Sequence, residues 1–195
     1  LHTGLGRAPI SKNLLLDSFD RLYPYSNLEF NVKGNKRGDR NDSIQNIINP
    51  LLGSKSALVV NNCAAAVLLS LNTFCESKEV IVSRGQQVEI GGSFRIPEVI
   101  SKAGCIMKDV GATNKTYTED YRNAISDETG AILYAHTSNY RVVGFTKEID
   151  IEGIAKISRK SKIPFILDAG SGCIANFDKF NMPAEKTVKG YFKKG

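Results

Sequence analysis

Five short apolar runs, at 57–60, 79–83, 105–110, 131–135 and 163–167, alternate with helical patterns along most of this chain. They are rich in Val, Ile and Leu, as strands buried on both faces should be. The stretches between them predict helices over 43–52, 64–75, 97–103, 118–125, 151–161 and 188–194. Start and stop signals support these bounds. Asn41 and Asp42 precede the first helix, and Pro97 takes a first-turn position. Thr118 reads as a cap with Glu119 and Asp120 behind it; Asp150 precedes a helix that ends in Arg159, Lys160 and Lys162. Such alternation implies an α/β fold, a mostly parallel sheet with helices on both faces. Ligands of such sheets sit beyond the carboxyl ends of the strands.

A chain of 195 residues can bury a sizeable core. No apolar run approaches the ~18 residues of a membrane span, and no signal-peptide pattern opens the chain. The expectation is a cytoplasmic protein with no membrane partner. The four cysteines, Cys63, Cys75, Cys105 and Cys173, form no C-x-x-C pair and have no nearby His, so no metal site is expected. A net charge of +6 admits an anionic substrate or RNA. Residues 1–42 are polar and weakly periodic. They predict an extended N-terminal segment at a subunit interface, with 43–195 forming the main domain.

Two junctions carry the chemistry. At Leu58-Val59-Val60-Asn61-Asn62-Cys63-Ala64 an apolar run stops at two amides and a small-residue helix begins. Backbone N–H groups of Asn62, Cys63 and Ala64 at such a helix start suit a phosphate. The same residues also suit a polar turn before a packed helix. At Phe165-Ile166-Leu167-Asp168-Ala169-Gly170-Ser171-Gly172 an apolar strand delivers one carboxylate and breaks into glycines. A buried Asp168 can keep a ring nitrogen protonated; it can also simply cap a turn. Together the two junctions fit pyridoxal 5′-phosphate, whose pyridinium needs an acidic partner. His136, at the end of run 131–135, is a candidate contact to cofactor or substrate, and it suits a satisfied core or capping histidine equally well. Arg37, Arg40, Arg84, Arg95 and Arg141 are candidates for an anionic substrate, because guanidinium forks suit phosphate-like oxyanions.

These segments, in order, resemble the bacterial L-seryl-tRNA(Sec) selenium transferases. The resemblance rests on Leu1-His2-Thr3, Leu5-Gly6-Arg7, Tyr25 to Glu29, Arg37-Gly38 and Arg40, Leu58 to Ala66, Val80 to Gly85, Val88 to Pro97, Thr113-Asn114, His136 to Arg141, and Asp168 with Gly170 to Gly172. It implies the large domain of a fold-type I pyridoxal phosphate (PLP) enzyme. It implies conversion of seryl-tRNA(Sec) to selenocysteinyl-tRNA(Sec) with selenophosphate, by loss of the α-proton and β-elimination of water before selenium adds. It also implies a ring-shaped homo-oligomer with sites at dimer interfaces, where Arg37 and Arg40 serve a neighbour. Arg84, Arg95 and Arg141 would bind the selenium donor or the tRNA acceptor end.

The chain departs from the family pattern at Cys63, where a third Asn is usual, and at Gly4, where Asn is common. The family's Schiff-base lysine lies in a Ser-Gly-Asp-Lys segment after the stretch matching Val188 to Gly195. Lys186, Lys189, Lys193 and Lys194 lack that context and are expected to be solvated. The expectation is therefore a fragment of the catalytic domain, incomplete and inactive alone. Two alternatives remain: another fold-type I PLP lyase acting on a small amino acid, and a non-catalytic remnant.

Overall fold

The structure is a computed structural model; it describes residues 9–91, 93–147, 149–182 and 185–193. The amino-terminal part holds helix α1 (Lys12–Leu22), a hairpin of β1 (Phe30–Asn31) and β2 (Lys36–Arg37), and helix α2 (Asp42–Leu52). The remainder runs α3 (Cys63–Cys75), β3 (Glu79–Ser83), the hairpin β4 (Glu89–Ile90) and β5 (Phe94–Arg95), α4 (Ile96–Lys102), β6 (Ile106–Val110), α5 (Thr118–Ala124), β7 (Thr129–Ala135), α6 (Ile151–Ser161), β8 (Phe165–Asp168) and α7 (Val188–Phe192).

Strands β6, β3, β7 and β8 form one sheet in that order, every neighbour parallel. Side chains alternate across a strand, and the core divides accordingly. Val80 and Val82 of β3, with Ala131, Leu133 and Ala135 of β7, pack against Val67 and Leu71 of α3 and Ile96 and Ile100 of α4. Ile81 and Ile132, one residue out of phase, face Tyr121 of α5 and Ile154 and Ile157 of α6. The sheet is thus covered on both faces, which explains why β3 reads as an unbroken apolar run.

The connection leaving β3 passes through α4 on the first face, whereas the one leaving β7 passes through α6 on the second. β3 and β7 are neighbours, so the chain switches direction between them. The carboxyl ends of these two strands therefore open a crevice.

Two expectations need correction. Residues 57–60 form no strand; Leu58 and Val59 are exposed and pair with nothing in the sheet. An apolar run becomes a strand only where a neighbour can accept its backbone bonds. Residues 1–42 are not uniformly extended, because α1 occupies 12–22, with the Ser11 hydroxyl accepting from Leu14 N–H at its start. Cap positions also shift by a residue: Tyr117, not Thr118, precedes α5, and its N–H donates to Asp120 Oδ2 at 2.7 Å. Residues 1–8, including His2 and Arg7, lie outside the described residues.

Candidate functional site: two junctions meeting at Asp168

Helix α3 begins at Cys63 because Asn62, in extended conformation, caps it: Asn62 Oδ1 accepts from Ala65 N–H at 2.9 Å, and the Asn62 carbonyl accepts from Ala66 N–H at 3.1 Å. That leaves the N–H groups of Cys63 and Ala64 without a hydrogen-bond partner among the described residues, at the positive end of a thirteen-residue helix. β8 ends at Asp168 because the next residues turn back. Gly170 and Gly172 both have positive φ, at 64° and 66°, a conformation that residues with a Cβ adopt only at a cost. Gly170 N–H donates to Asp168 Oδ1 at 2.8 Å, which fixes the carboxylate at the strand end.

The junctions are 105 residues apart in sequence yet touch in space: Cys63 Sγ donates to Asp168 Oδ1 at 3.2 Å. Burial, then the charge of Asp168 and its hydrogen bond, push the Cys63 thiol up to about 12. The thiol is therefore protonated and neutral at physiological pH, so it adds no second negative charge beside the carboxylate. Asp168 Oδ1 is shared between Cys63 and Gly170, while Oδ2 has no partner among the described residues.

His136 follows β7 directly. Its N–H donates to the Asp168 carbonyl at 3.0 Å, extending the ladder between the two strands by one bond. Its ring Nδ1 is buried without a hydrogen-bond partner, an atom that calls for a ligand or water. A Cβ placed on Gly170 would sit 3.7 Å from that Nδ1, so the glycine turn and the imidazole are in close approach. The cofactor-binding expectations at Asn62, Cys63, Ala64, His136 and Asp168 thus fall on residues that the fold gathers at one sheet edge.

Beside this cluster a cavity of about 660 Å³ opens at the crevice between β3 and β7. Its walls are the turns after β3, β6 and β7 and the segment leading into α6. His136 belongs to both places; Asp168 and Asn62 do not line the cavity. Tyr140 ties the walls together, its hydroxyl donating to the Gly85 carbonyl, and Asn139 Nδ2 donates to the Glu89 carbonyl at 2.8 Å. Gly85 itself leaves no room for a side chain, since a Cβ there would meet Thr113 O at 2.6 Å.

The five arginines separate. Arg141 lines the cavity. Arg84 pairs with Asp109, and its Nη1 donates to the Gly111 carbonyl at 3.2 Å. Arg95 pairs with Glu89 at 2.6 Å and Glu98 at 3.3 Å. Arg37 and Arg40 both engage Glu29 near the β1–β2 hairpin. Lys186, Lys189 and Lys193 are exposed, with Lys186 Nζ 4.8 Å above the Tyr191 ring; Lys194 lies outside the described residues. Among the described residues, no group of three or more His, Cys, Asp or Glu could hold a metal. Sequence reasoning missed the direct Cys63–Asp168 contact and the tether made by Asn139 and Tyr140. It also missed the cavity's lysines, Lys115 and Lys147.

The family model described as "SelA: L-seryl-tRNA selenium transferase" matches residues 1–195. The L-seryl-tRNA(Sec) selenium transferase of Caldanaerobacter subterraneus subsp. tengcongensis is 49% identical over 195 residues, covering 100% of this chain and 42% of that protein. The one from Solidesulfovibrio magneticus is 48% identical over 189 residues, covering 97% and 40%. The chain therefore spans about two fifths of the length of these curated relatives. Among solved structures, D-glucosaminate-6-phosphate ammonia-lyase superposes with a TM-score of 0.71 at 14% identity, covering 98% of this chain and 58% of that one. An aminotransferase from Psychrobacter cryohalolentis gives 0.50 at 16% identity, covering 83% and 38%. These likenesses are of fold alone, an α/β architecture around a parallel sheet. By its sequence match from end to end, the chain belongs to the L-seryl-tRNA selenium transferase family.

Proposed function

We propose that this chain supplies the cofactor cradle of an enzyme that converts seryl-tRNA(Sec) to selenocysteinyl-tRNA(Sec) with selenophosphate, using PLP and acting as a homo-oligomer. The observation that carries this reading is the meeting of the α3 amino terminus with Asp168. Among the described residues, a helix start with two unpartnered N–H groups and a strand-end carboxylate with an unpartnered oxygen match the two ends of PLP, and the orphaned His136 Nδ1 lies beside them.

Each residue then has a distinct task. Cys63 and Ala64 N–H take phosphate oxygens, helped by the helix dipole. Asn62 holds that turn open by satisfying Ala65 and Ala66 itself. Asp168 Oδ2 holds a proton on the pyridine nitrogen, and Cys63, kept neutral, leaves one negative charge facing one positive charge. When bound, PLP supplies an electron-withdrawing ring that stabilises negative charge at a substrate α-carbon. Arg141 in the cavity is the arginine best placed for an incoming anion. Arg84 and Arg95 are engaged in ion pairs, and Arg37 and Arg40 are assigned to a neighbouring subunit's site.

The test is a chimera. This chain replaces the matching 195 residues of the Caldanaerobacter relative, and conversion of seryl-tRNA(Sec) is measured with selenophosphate. The chimera is expected to convert, and Asp168→Asn in it to abolish conversion while its melting curve is retained. Undiminished conversion by the Asp168→Asn chimera would overturn the reading.

A further inference from the structure

Five polar side chains are buried among the described residues: Ser83, Gln86, Thr116, Thr129 and Ser158. Four of them find partners inside the protein. The Ser83 and Thr116 hydroxyls lie 2.7 Å apart, Thr129 Oγ1 accepts from Ser126 N–H at 3.0 Å, and Ser158 Oγ donates to the Ile163 carbonyl at 2.6 Å. Gln86 is the exception. It is 3% exposed, and its Oε1 is buried with no hydrogen-bond partner among the described residues. Native structures rarely leave such an acceptor unmet.

The backbone holds Gln86 in place. β3 ends at Ser83, whose hydroxyl accepts from Gly85 N–H at 3.2 Å, and Arg84–Gln86 make one 3₁₀ turn. The Gln86 carbonyl accepts from Val88 N–H at 2.8 Å, and Val88 is buried in the core with Val82 and Ile96. On the other side, the Tyr140 hydroxyl donates to the Gly85 carbonyl. With both flanks fixed, the amide of Gln86 is presented from a rigid turn.

Two other buried polar atoms are unmet, Tyr121 OH and His136 Nδ1, and location separates the three. Tyr121 packs in the core with Ile81, Ile132 and Ile154 and does not line the cavity between β3 and β7. His136 Nδ1 lies against the glycine turn of the Asp168 cradle. Gln86 lines the cavity, whereas Asn62, Cys63, Ala64 and Asp168 do not. Its Oε1 is therefore an acceptor offered to what enters the cavity rather than to what the cradle holds.

We propose that Gln86 is the residue that selects a seryl over an alanyl group, its Oε1 accepting from the seryl β-hydroxyl. This rests on the function proposed above and adds a named determinant of its specificity. The seryl group carries two donors, its amino group and its hydroxyl. The amino group is committed to the cofactor in PLP chemistry, which leaves the hydroxyl for Gln86. An alanyl group in the same cavity would leave Oε1 stranded, and a site built around a buried polar atom rejects the analogue that cannot pair with it. Accepting from the hydroxyl does not protonate it. Gln86 therefore orients the leaving group and supplies no acid, so its loss falls on binding more than on the chemical step.

The experiment uses the chimera that carries this chain in the Caldanaerobacter relative. Seryl-tRNA(Sec) is the substrate, and alanyl-tRNA(Sec), which lacks only the hydroxyl, is the competitor. The chimera is expected to show a Ki for the alanyl form about tenfold above its KM for the seryl form. Gln86→Met fills a similar volume without the amide. It should raise that KM about tenfold, leave the Ki unchanged and keep kcat within about twofold, with an unaltered melting curve. Gln86→Glu, which keeps an oxygen acceptor at the same reach, should retain the seryl preference. A Gln86→Met chimera that still prefers the seryl form, or one whose KM and Ki rise together, overturns the proposal. Failure of the unsubstituted chimera to convert seryl-tRNA(Sec) instead refutes the function beneath it, and the inference falls with it.

Discussion

Replacing Asp168 with Asn has a consequence measurable at a different residue. Asp168 accepts from Cys63 Sγ at 3.2 Å, and the thiol is pushed up from 9.0 to about 12 by burial first and by Asp168 second. Near pH 8 a thiol at 9.0 is about one-tenth thiolate, whereas one at about 12 is roughly one part in ten thousand, a loss of about 900-fold. The more basic thiolate is a better nucleophile by about 20-fold over that interval, which leaves exchange with a disulfide reagent roughly 40-fold slower than for an unperturbed thiol. Asn at 168 removes the charge but not the burial, so part of this retardation should vanish. Cys63 is the one exposed cysteine of the four, so site-resolved mass spectrometry after timed labelling isolates it. The expected result is slow labelling of Cys63 in the wild type and labelling several-fold faster in Asp168→Asn. Equal rates in the two proteins, both matching a free thiol, would refute the claimed contact.

Further outcomes follow from the core and from the sheet's far edge. Ile132 is fully buried among Tyr121, Ile154 and Ile81, so Ile132→Ala should cost about 2–5 kcal/mol in urea unfolding. Lys108, bonded to Glu79 Oε2 at 2.7 Å, holds the Glu79 carboxyl below the usual carboxylate range, with Ser126 assisting. That stabilisation is present above the ordinary carboxylate pKa and is lost as pH falls through the depressed one. Glu79→Gln should therefore be less stable than wild type at neutral pH, with the gap closing in acid; a gap that persists unchanged to low pH would refute the linkage.

Much of the architecture was legible because the central strands carry it in their composition. Val80-Ile81-Val82 and Ala131-Ile132-Leu133 are buried on both faces, and a continuous apolar run is the signature of that situation. The helices between them announced themselves by their starts, as at Asn62 and Asp150, whose side chains do cap α3 and α6. The run at 57–60 carried the same local signal and misled, because hydrophobicity does not say whether a sheet partner exists; Leu58 and Val59 stand exposed. Helix α1 was overlooked within a polar region even though Leu15, Phe19 and Leu22 recur at helical spacing.

The candidate site divided in the same way. Asp168 and the turn at Asn62 were visible as strand and helix ends, since such ends are where chemistry collects in parallel sheets. Their contact was not, because it joins residues 105 apart through tertiary packing. Lys115 and Lys147 were invisible as a pair for a related reason. They come from two irregular segments that tertiary packing brings together, through an isolated β-bridge and the Asn114 side chain, and a lone lysine in a loop reads as solvated surface. Among arginines, spacing could not separate Arg141, which opens into the cavity, from Arg95, which is already engaged by two glutamates.

The cradle is tested most directly by backbone amide spectra of this chain during titration with PLP. The account predicts that Cys63 and Ala64 at the start of α3 and Asp168 to Gly172 after β8 shift together with one affinity, and that Asp168→Asn weakens both sets in step. A shift at only one junction, or at neither, would contradict it.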